Sequence, residues 1–261
     1  MQINSVMELI DTHCHLYDEA FKQDISAVIK KAEEQGVSKF YLPAIDSTTH
    51  QNMLLLEEKF PHKCIAMMGL HPCSVNATYK AELKEIEKLL AQRKFAAIGE
   101  IGLDFYWDKT FATEQHEAFD LQMQWALQYH LPIVIHTRKA MAETIAAVKK
   151  YAAKEITGIF HCFGGSYNDA VEITEMGFYL GIGGVLTYKN AGLVSVIEKI
   201  DLKHLVLETD APYLTPVPFR GKRNESSYIK FVAEKLAEVK KCTVEEVAAV
   251  TTANAKKIFG E

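Results

Sequence analysis

The sequence predicts a single eight-stranded parallel β/α barrel of the (β/α)8, TIM type, and three observations carry that expectation. Short β-branched or apolar runs alternate strictly with longer amphipathic ones, as parallel strands joined by right-handed helical crossovers require. Eight such strands share 261 residues, or about 33 residues per unit, close to the size of a βα repeat. Polar side chains able to hold a metal ion stand at the C-terminal ends of those runs, the face on which barrels assemble their sites. Gly and Pro are scattered and no linker interrupts the pattern, so residues 1–261 read as one domain.

The first strand is the run from Met7 to Thr12, ending in His13-Cys14-His15. Alternate side chains of an extended strand share a face, so the two histidines project together and Cys14 packs on the other side. Asp18 to Gln35 reads as a helix closed by Gly36, a residue suited to a left-handed cap. Lys39–Ile45 is strand two, and Ser47–Phe60 a helix with Ser47 as its N-cap. Strand three, Cys64–Leu70, ends in His71-Pro72. The segment Asn76–Lys94 puts Leu83, Ile86, Leu89 and Leu90 on one helical face. Strand four is Phe95–Ile101, interrupted by Glu100, and a helix follows over Glu114–His130. Strand five is Pro132–His136, with a helix over Lys139–Tyr151; strand six is Thr157–His161, with a helix over Ser166–Met176. Tyr179–Gly183, the helix Asn190–Ile200 and the strand Leu205–Thr209 complete the eight.

Composition narrows the classes. At 48% hydrophobic the chain can bury a large core, and it has no signal-peptide pattern and no apolar run near the roughly 18 residues of a membrane span. A cytoplasmic protein without a membrane partner is expected. Five scattered cysteines with no CxxC pair argue against a disulfide framework or a cysteine zinc site. A formal charge of −5 argues against a broad electropositive surface for duplex nucleic acid. Nothing implies an obligate protein partner.

The chemistry lies in the strand-end residues. His13, His15, Glu100, His136, His161 and Asp210 all fall at or just past C-terminal strand ends. Singly, each histidine is a common hydrogen-bonded core residue. Such side chains ending apolar strands cost burial energy unless they find partners, and converging on one mouth they could satisfy one another through metal. Glu208 lies two residues before Asp210, on the same strand face, and is placed to orient a ligand histidine. Asp104 stands in the same relation to Glu100, but an intervening glycine weakens the parity argument.

These residues also carry a resemblance. The segments DTHCHL, GEIGLDFYW, IHTRKA, HCFGGS and ETDAPYLTPVPFRGKRNE, in this order from Asp11 to Glu225, resemble those of the TatD family of metal-dependent deoxyribonucleases. The resemblance implies an amidohydrolase-like β/α barrel that hydrolyses phosphodiesters at DNA ends, with single strands preferred. Carried over residue by residue, it assigns His13, His15, Glu100 and Asp210 to one divalent ion and Glu100, His136 and His161 to a second, with Glu100 bridging. Two ions sharing a carboxylate can activate a water and stabilise the departing oxygen, with Asp210 taking the water's proton. Ligand softness admits Zn²⁺ or Mn²⁺, and a carboxylate pair with substrate phosphate admits Mg²⁺.

Substrate contacts are expected in the mouth loops. His71 matches a GLHP element of the family and could touch phosphate or cap its own loop. Arg223 and Asn224, after strand eight, and Arg138, after strand five, are the expected phosphate donors, whereas Arg220 and Lys222 fit a solvated turn. The family continues past Glu225 with Pro; here Ser226 follows, which touches helix initiation more than chemistry. Phe105, Tyr106, Trp107 and Phe163 could stack on an unpaired base, although aromatics beside a barrel mouth more often pack under the loops. The competing readings are hydrolysis of a small-molecule ester, amide or lactone, hydrolysis of an aminoacyl-tRNA ester, and a binding scaffold that retains the fold.

Overall fold

The computed structural model describes residues 7–152 and 156–261. Its strands are β1 (Leu9–Asp11), β2 (Val37–Leu42), β3 (Cys64–Ala66), β4 (Ile98–Asp104), β5 (Ile133–Arg138), β6 (Gly158–Phe160), β7 (Tyr179–Ile182) and β8 (Leu205–Leu207). Every pairing is parallel and between sequence neighbours, in one ladder of β1-β2-β3 and another from β4 to β8. Two seams close the ring. Between β3 and β4, Met68 bridges to Ile98 and Gly99 N–H donates to Met68 O at 2.9 Å. Between β8 and β1, Thr12 N–H donates to Leu207 O at 3.1 Å and Asp210 N–H to His13 O at 2.9 Å. The eight-stranded barrel expected from the alternation is thereby formed.

The crossovers are α1 (Ile25–Glu34), α2 (Ser47–Lys59), α3 (Tyr79–Gln92), α4 (Ala112–Tyr129), α5 (Met141–Ala152), α6 (Tyr167–Glu175) and the short α7 (Leu193–Ile197). Their apolar faces pack on the outside of the barrel in one large core. No helix among the described residues is long and apolar enough to cross a membrane.

Several boundaries differ from the sequence expectation. Helix α1 starts at Ile25, after a 3-10 turn at Glu19–Phe21, and Gly36 follows it at φ +88°, as its cap role requires. The N-cap of α2 is Asp46 and not Ser47: the Asp46 carboxylate accepts from Thr48 N–H, and Ser47 instead donates to Glu82 of α3. Strands four and five run on to Asp104 and Arg138, because their pairing continues past His136 to Asp104–Arg138. Strand one stops at Asp11, and the chain bends at Thr12 and His13. After β8, α8 (Ile229–Lys240) completes the eighth β/α unit, and α9 (Val244–Phe259) lies beyond the eight-unit pattern. Ser226 begins a 3-10 turn leading into α8 and provides no side-chain cap.

The barrel interior divides into a floor and a mouth. Inward side chains from around the ring, among them Ile10, Tyr41, Val134, Ile159 and Val206, form a second apolar cluster with Ala255 and Ile258 of α9. The ring of Phe259 stacks on Tyr41 at 3.7 Å. Burying this layer stabilises the closed ring at roughly 25 cal/mol per Å² of apolar surface, and it leaves the polar chemistry at the opposite end.

Candidate metal centre

Glu100 sits at the middle of the mouth. It is the extra residue at an irregularity of β4, where Gly99 pairs with Val134 and Ile101 with Ile135. The carboxylate is almost completely buried and its two oxygens face different histidines. Oε2 lies 3.2 Å from His13 Nε2 and 3.7 Å from His15 Nε2. Oε1 lies 2.9 Å from His136 Nδ1, 3.4 Å from His71 Nε2 and 3.7 Å from His161 Nε2. Burial opposes its ionisation, but the imidazoles of His71, His13 and His161 outweigh that and hold the carboxyl well below its usual range.

Asp210 closes the other side. Its Oδ1 lies 3.5 Å from His15 Nε2, 3.7 Å from His13 Nε2 and 3.9 Å from His161 Nε2. Its backbone is left-handed, at φ +58°, which turns the side chain back over the mouth at the end of β8. The rings of His13 and His161 stack at 3.5 Å.

Two further carboxylates hold histidines from behind. Glu208 Oε1 lies 3.0 Å from His161 Nδ1 and accepts from Cys162 N–H at 2.6 Å. Burial works against a charged His161, but Glu208, Glu100 and Asp210 together push its pKa up to about 10. Asp104 Oδ2 lies 2.9 Å from His136 Nε2, leaving Nδ1 of that ring on Glu100. Burial disfavours a charged Asp104, yet the hydrogen bond to His136 holds its carboxyl far below the ordinary range. Asp104 has a closer part in the centre than strand parity suggests: the irregularity at Glu100 and the continuation of β4 through Gly102, at φ +142°, bring it under His136.

The donor set fits divalent metal. Ligand atoms within 4.8 Å of one another form the groups His13–His15–Asp210, His13–Glu100–His161 and His71–Glu100–His136. Among the described residues no Lys or Arg pairs with Glu100 or Asp210, and His13 Nδ1 is buried without a partner. Acidic oxygens and imidazoles packed this closely, with no Lys or Arg among them, suit an ion of borderline softness. His71 joins this cluster directly, where the sequence offered a phosphate contact or a loop cap; its Nδ1 accepts from Cys73 N–H at 3.0 Å, so it also caps the turn that follows.

The cluster lines a cavity of about 680 Å³ whose rim includes Trp107, Arg138, Tyr213 and Leu214. The Arg138 guanidinium lies over the Tyr106 ring at 3.9 Å and over the Trp107 ring at 5.1 Å. Trp107 is 68% exposed, whereas Phe163 is buried in the core and Phe105 is partly buried against it. The two other expected phosphate contacts are placed elsewhere. Arg223 forms a two-pronged ion pair with Asp24, at 2.9 and 2.7 Å, and stacks on Phe21. Asn224 is fully buried and donates to Thr209 O and Tyr213 O at 2.7 and 2.6 Å, bracing the turn that carries Asp210. Neither lines the cavity.

A family model described as "TatD related DNase" matches residues 10–260. The chain is 41% identical over 252 residues to the metal-dependent hydrolase YabD of Bacillus subtilis, covering 96% of this chain and 98% of YabD. It is 34% identical over 259 residues to the metal-dependent hydrolase YcfH of Escherichia coli, covering 97% and 96%. The crystal structure of YjjV, a TatD homologue from Escherichia coli, superposes with a TM-score of 0.92 at 30% identity, covering 98% of this chain and 99% of YjjV.

Proposed function

The chain belongs to the TatD-related DNase family, and on that premise we propose that it is a metal-dependent hydrolase that cleaves phosphodiester bonds at single-stranded DNA ends. The observation that carries this reading is the division of Glu100. Its Oε2 faces His13 and His15 and its Oε1 faces His71, His136 and His161, an arrangement that supports the reading of one carboxylate shared between two ions.

Two divalent ions, Mg²⁺, Mn²⁺ or Zn²⁺, supply Lewis acidity and an ionised water at neutral pH when bound. His13, His15, Glu100 and Asp210 would hold one; Glu100, His136 and His161 would hold the other, with His71 beside them. Asp210 stands at the mouth, with its carboxylate held ionised despite burial, and accepts the proton of the attacking water. Glu208 and Asp104 keep two histidine rings turned so that the free nitrogen faces the cluster. Arg138 presents N–H donors over the cavity rim for a phosphate, and the exposed face of Trp107 offers a stacking platform worth roughly 1–3 kcal/mol per base. An acidic molecule with a few local donors fits an enzyme that admits a strand end rather than gripping a duplex. The five cysteines are unpaired, as a reducing cytoplasm would keep them.

The test is digestion of single-stranded DNA labelled at either end, across a series of Mg²⁺, Mn²⁺ and Zn²⁺, with and without EDTA. Stepwise shortening that EDTA abolishes is expected. No shortening with any of these metals, alongside rapid hydrolysis of carboxylic esters or aminoacyl-tRNA, would assign the site to carbonyl chemistry instead.

A further inference from the structure

The seam between β8 and β1 carries no strand ladder among the described residues, yet it is where His13 and His15 must meet Asp210. We propose that Asp11 and Thr209 form a clasp that positions the His13–His15–Asp210 half of the metal centre and leaves the His71–Glu100–His136 half to its own supports. The proposal rests on the reading that this centre takes metal.

Asp11 is fully buried. Its Oδ1 accepts from Thr209 N–H at 2.9 Å and from His13 N–H at 3.4 Å, and its Oδ2 accepts from the Thr209 hydroxyl at 2.6 Å. The His13 contact closes a turn of the Asx kind at the point where β1 ends and the chain bends. That bend decides the facing of the histidines. Ile10 points into the barrel floor, so unbroken alternation would send Thr12 and Cys14 inward; instead Cys14 packs in the outer core and His13 and His15 face the mouth.

Thr209 is the other jaw. Besides its two bonds to Asp11, its hydroxyl accepts from Ala211 N–H at 3.3 Å and its carbonyl accepts from Asn224 at 2.7 Å. Asp210 N–H donates to His13 O at 2.9 Å, and His15 N–H donates to Ala211 O at 2.7 Å. The carboxylate of Asp11 therefore bonds to one ligand, His13, and to the immediate neighbour of another, Asp210. A buried carboxylate is costly unless fully paired, and the backbone bonds of Thr12 already join the seam. What the carboxylate adds is the relative placement of these ligands. His136 is held by Asp104, across the ring from this clasp.

The test titrates metal-free wild type, Thr209→Val and Thr209→Ser with Co²⁺, followed by visible absorption and calorimetry, with the melting temperature of each metal-free protein as a separate readout. Thr209→Val, which keeps the shape and deletes the hydroxyl, is expected to bind one ion as wild type does and the other roughly ten- to a hundredfold more weakly. Thr209→Ser should restore the wild-type titration. Two unchanged affinities in a folded Thr209→Val protein, or equal weakening of both ions in step with a lowered melting temperature, overturn the clasp. If Thr209→Val does not fold, Thr209→Ala is read in the same way; failure of both to fold while Thr209→Ser folds makes the hydroxyl a folding group and also overturns it. A wild-type protein that takes up no Co²⁺ overturns the metal reading itself, and that outcome is seen before any variant is compared.

Discussion

Glu208 Oε1 lies 3.0 Å from His161 Nδ1, so the other nitrogen of that ring points at both Glu100 and Asp210, at 3.7 and 3.9 Å. The room for this contact is made by a glycine. A Cβ on Gly181 of β7 would stand 2.2 Å from Glu208 Oε2, so only a residue without a side chain lets the carboxylate lie against the strand.

Glu208→Gln keeps the shape and removes the charge, and is expected to weaken metal binding roughly ten- to a hundredfold. Gly181→Ala should reproduce that defect from the opposite side of the contact and also lower stability by about 1–3 kcal/mol through overpacking. Metal titration and thermal melting of the two variants check this. Wild-type affinity in both would remove Glu208 from the support of the centre.

Asp210→Asn tests the proton-accepting role proposed for Asp210. Turnover on end-labelled DNA should fall about 10²- to 10⁴-fold while the far-ultraviolet circular dichroism and the melting profile stay near wild type. Turnover within twofold of wild type would place the acceptor elsewhere.

The two arginines expected to meet phosphate should separate sharply. Arg138→Ala is expected to raise KM for single-stranded DNA about tenfold, equivalent to about 1.4 kcal/mol, with little change in kcat. Arg223→Ala breaks a part-exposed ion pair with Asp24, costing at most about 1 kcal/mol of stability and leaving KM unchanged. Steady-state kinetics on one oligonucleotide decide it, and a large KM effect for Arg223→Ala would mean that its pair with Asp24 opens for substrate.

The thiols give a pH-dependent prediction. Burial and the carboxylates of Asp104 and Glu100 push the exposed Cys73 thiol, on the cavity wall, up to about 12. Because the thiolate reacts and this pKa is raised, alkylation of Cys73 in EDTA should still be climbing about tenfold per pH unit at pH 9–10. An ordinary cysteine would be levelling off there. Cys14 and Cys64 are buried, with Cys64 also pushed up to about 12, and both should stay unmodified until the protein unfolds. Peptide mass mapping after timed alkylation reads all of these thiols.

Much of this was legible in the sequence because two periods speak plainly: the alternation of strand and helix, and the recurrence of a ligand type at strand ends. Glu100, His136 and His161 needed only their place at the end of an apolar run. What escaped depended on contacts between distant segments or on a local break in period. Asp104 falls under His136 through an irregularity in β4 that simple parity does not anticipate. Arg223 looks like a phosphate donor in isolation, but its partner, Asp24, lies 199 residues earlier in the chain. Asp11 reads as one more polar residue in a short strand until Thr209 is brought against it across the seam. His71 could be placed on the mouth, but its approach to Glu100 is a matter of ångströms that no pattern encodes.

The apolar floor built by α9 also governs traffic. With Ile258 and Ala255 packed under the inward layer and Phe259 against Tyr41, the barrel is a cul-de-sac. On the proposed function, a strand end entering the mouth has no exit through the far side of the barrel, and the cut fragment leaves by the rim that carries Trp107 and Arg138. A site with one doorway of this kind presents the same rim residues to the arriving terminus and to the departing fragment, and clearance of the fragment becomes a step that those residues can set.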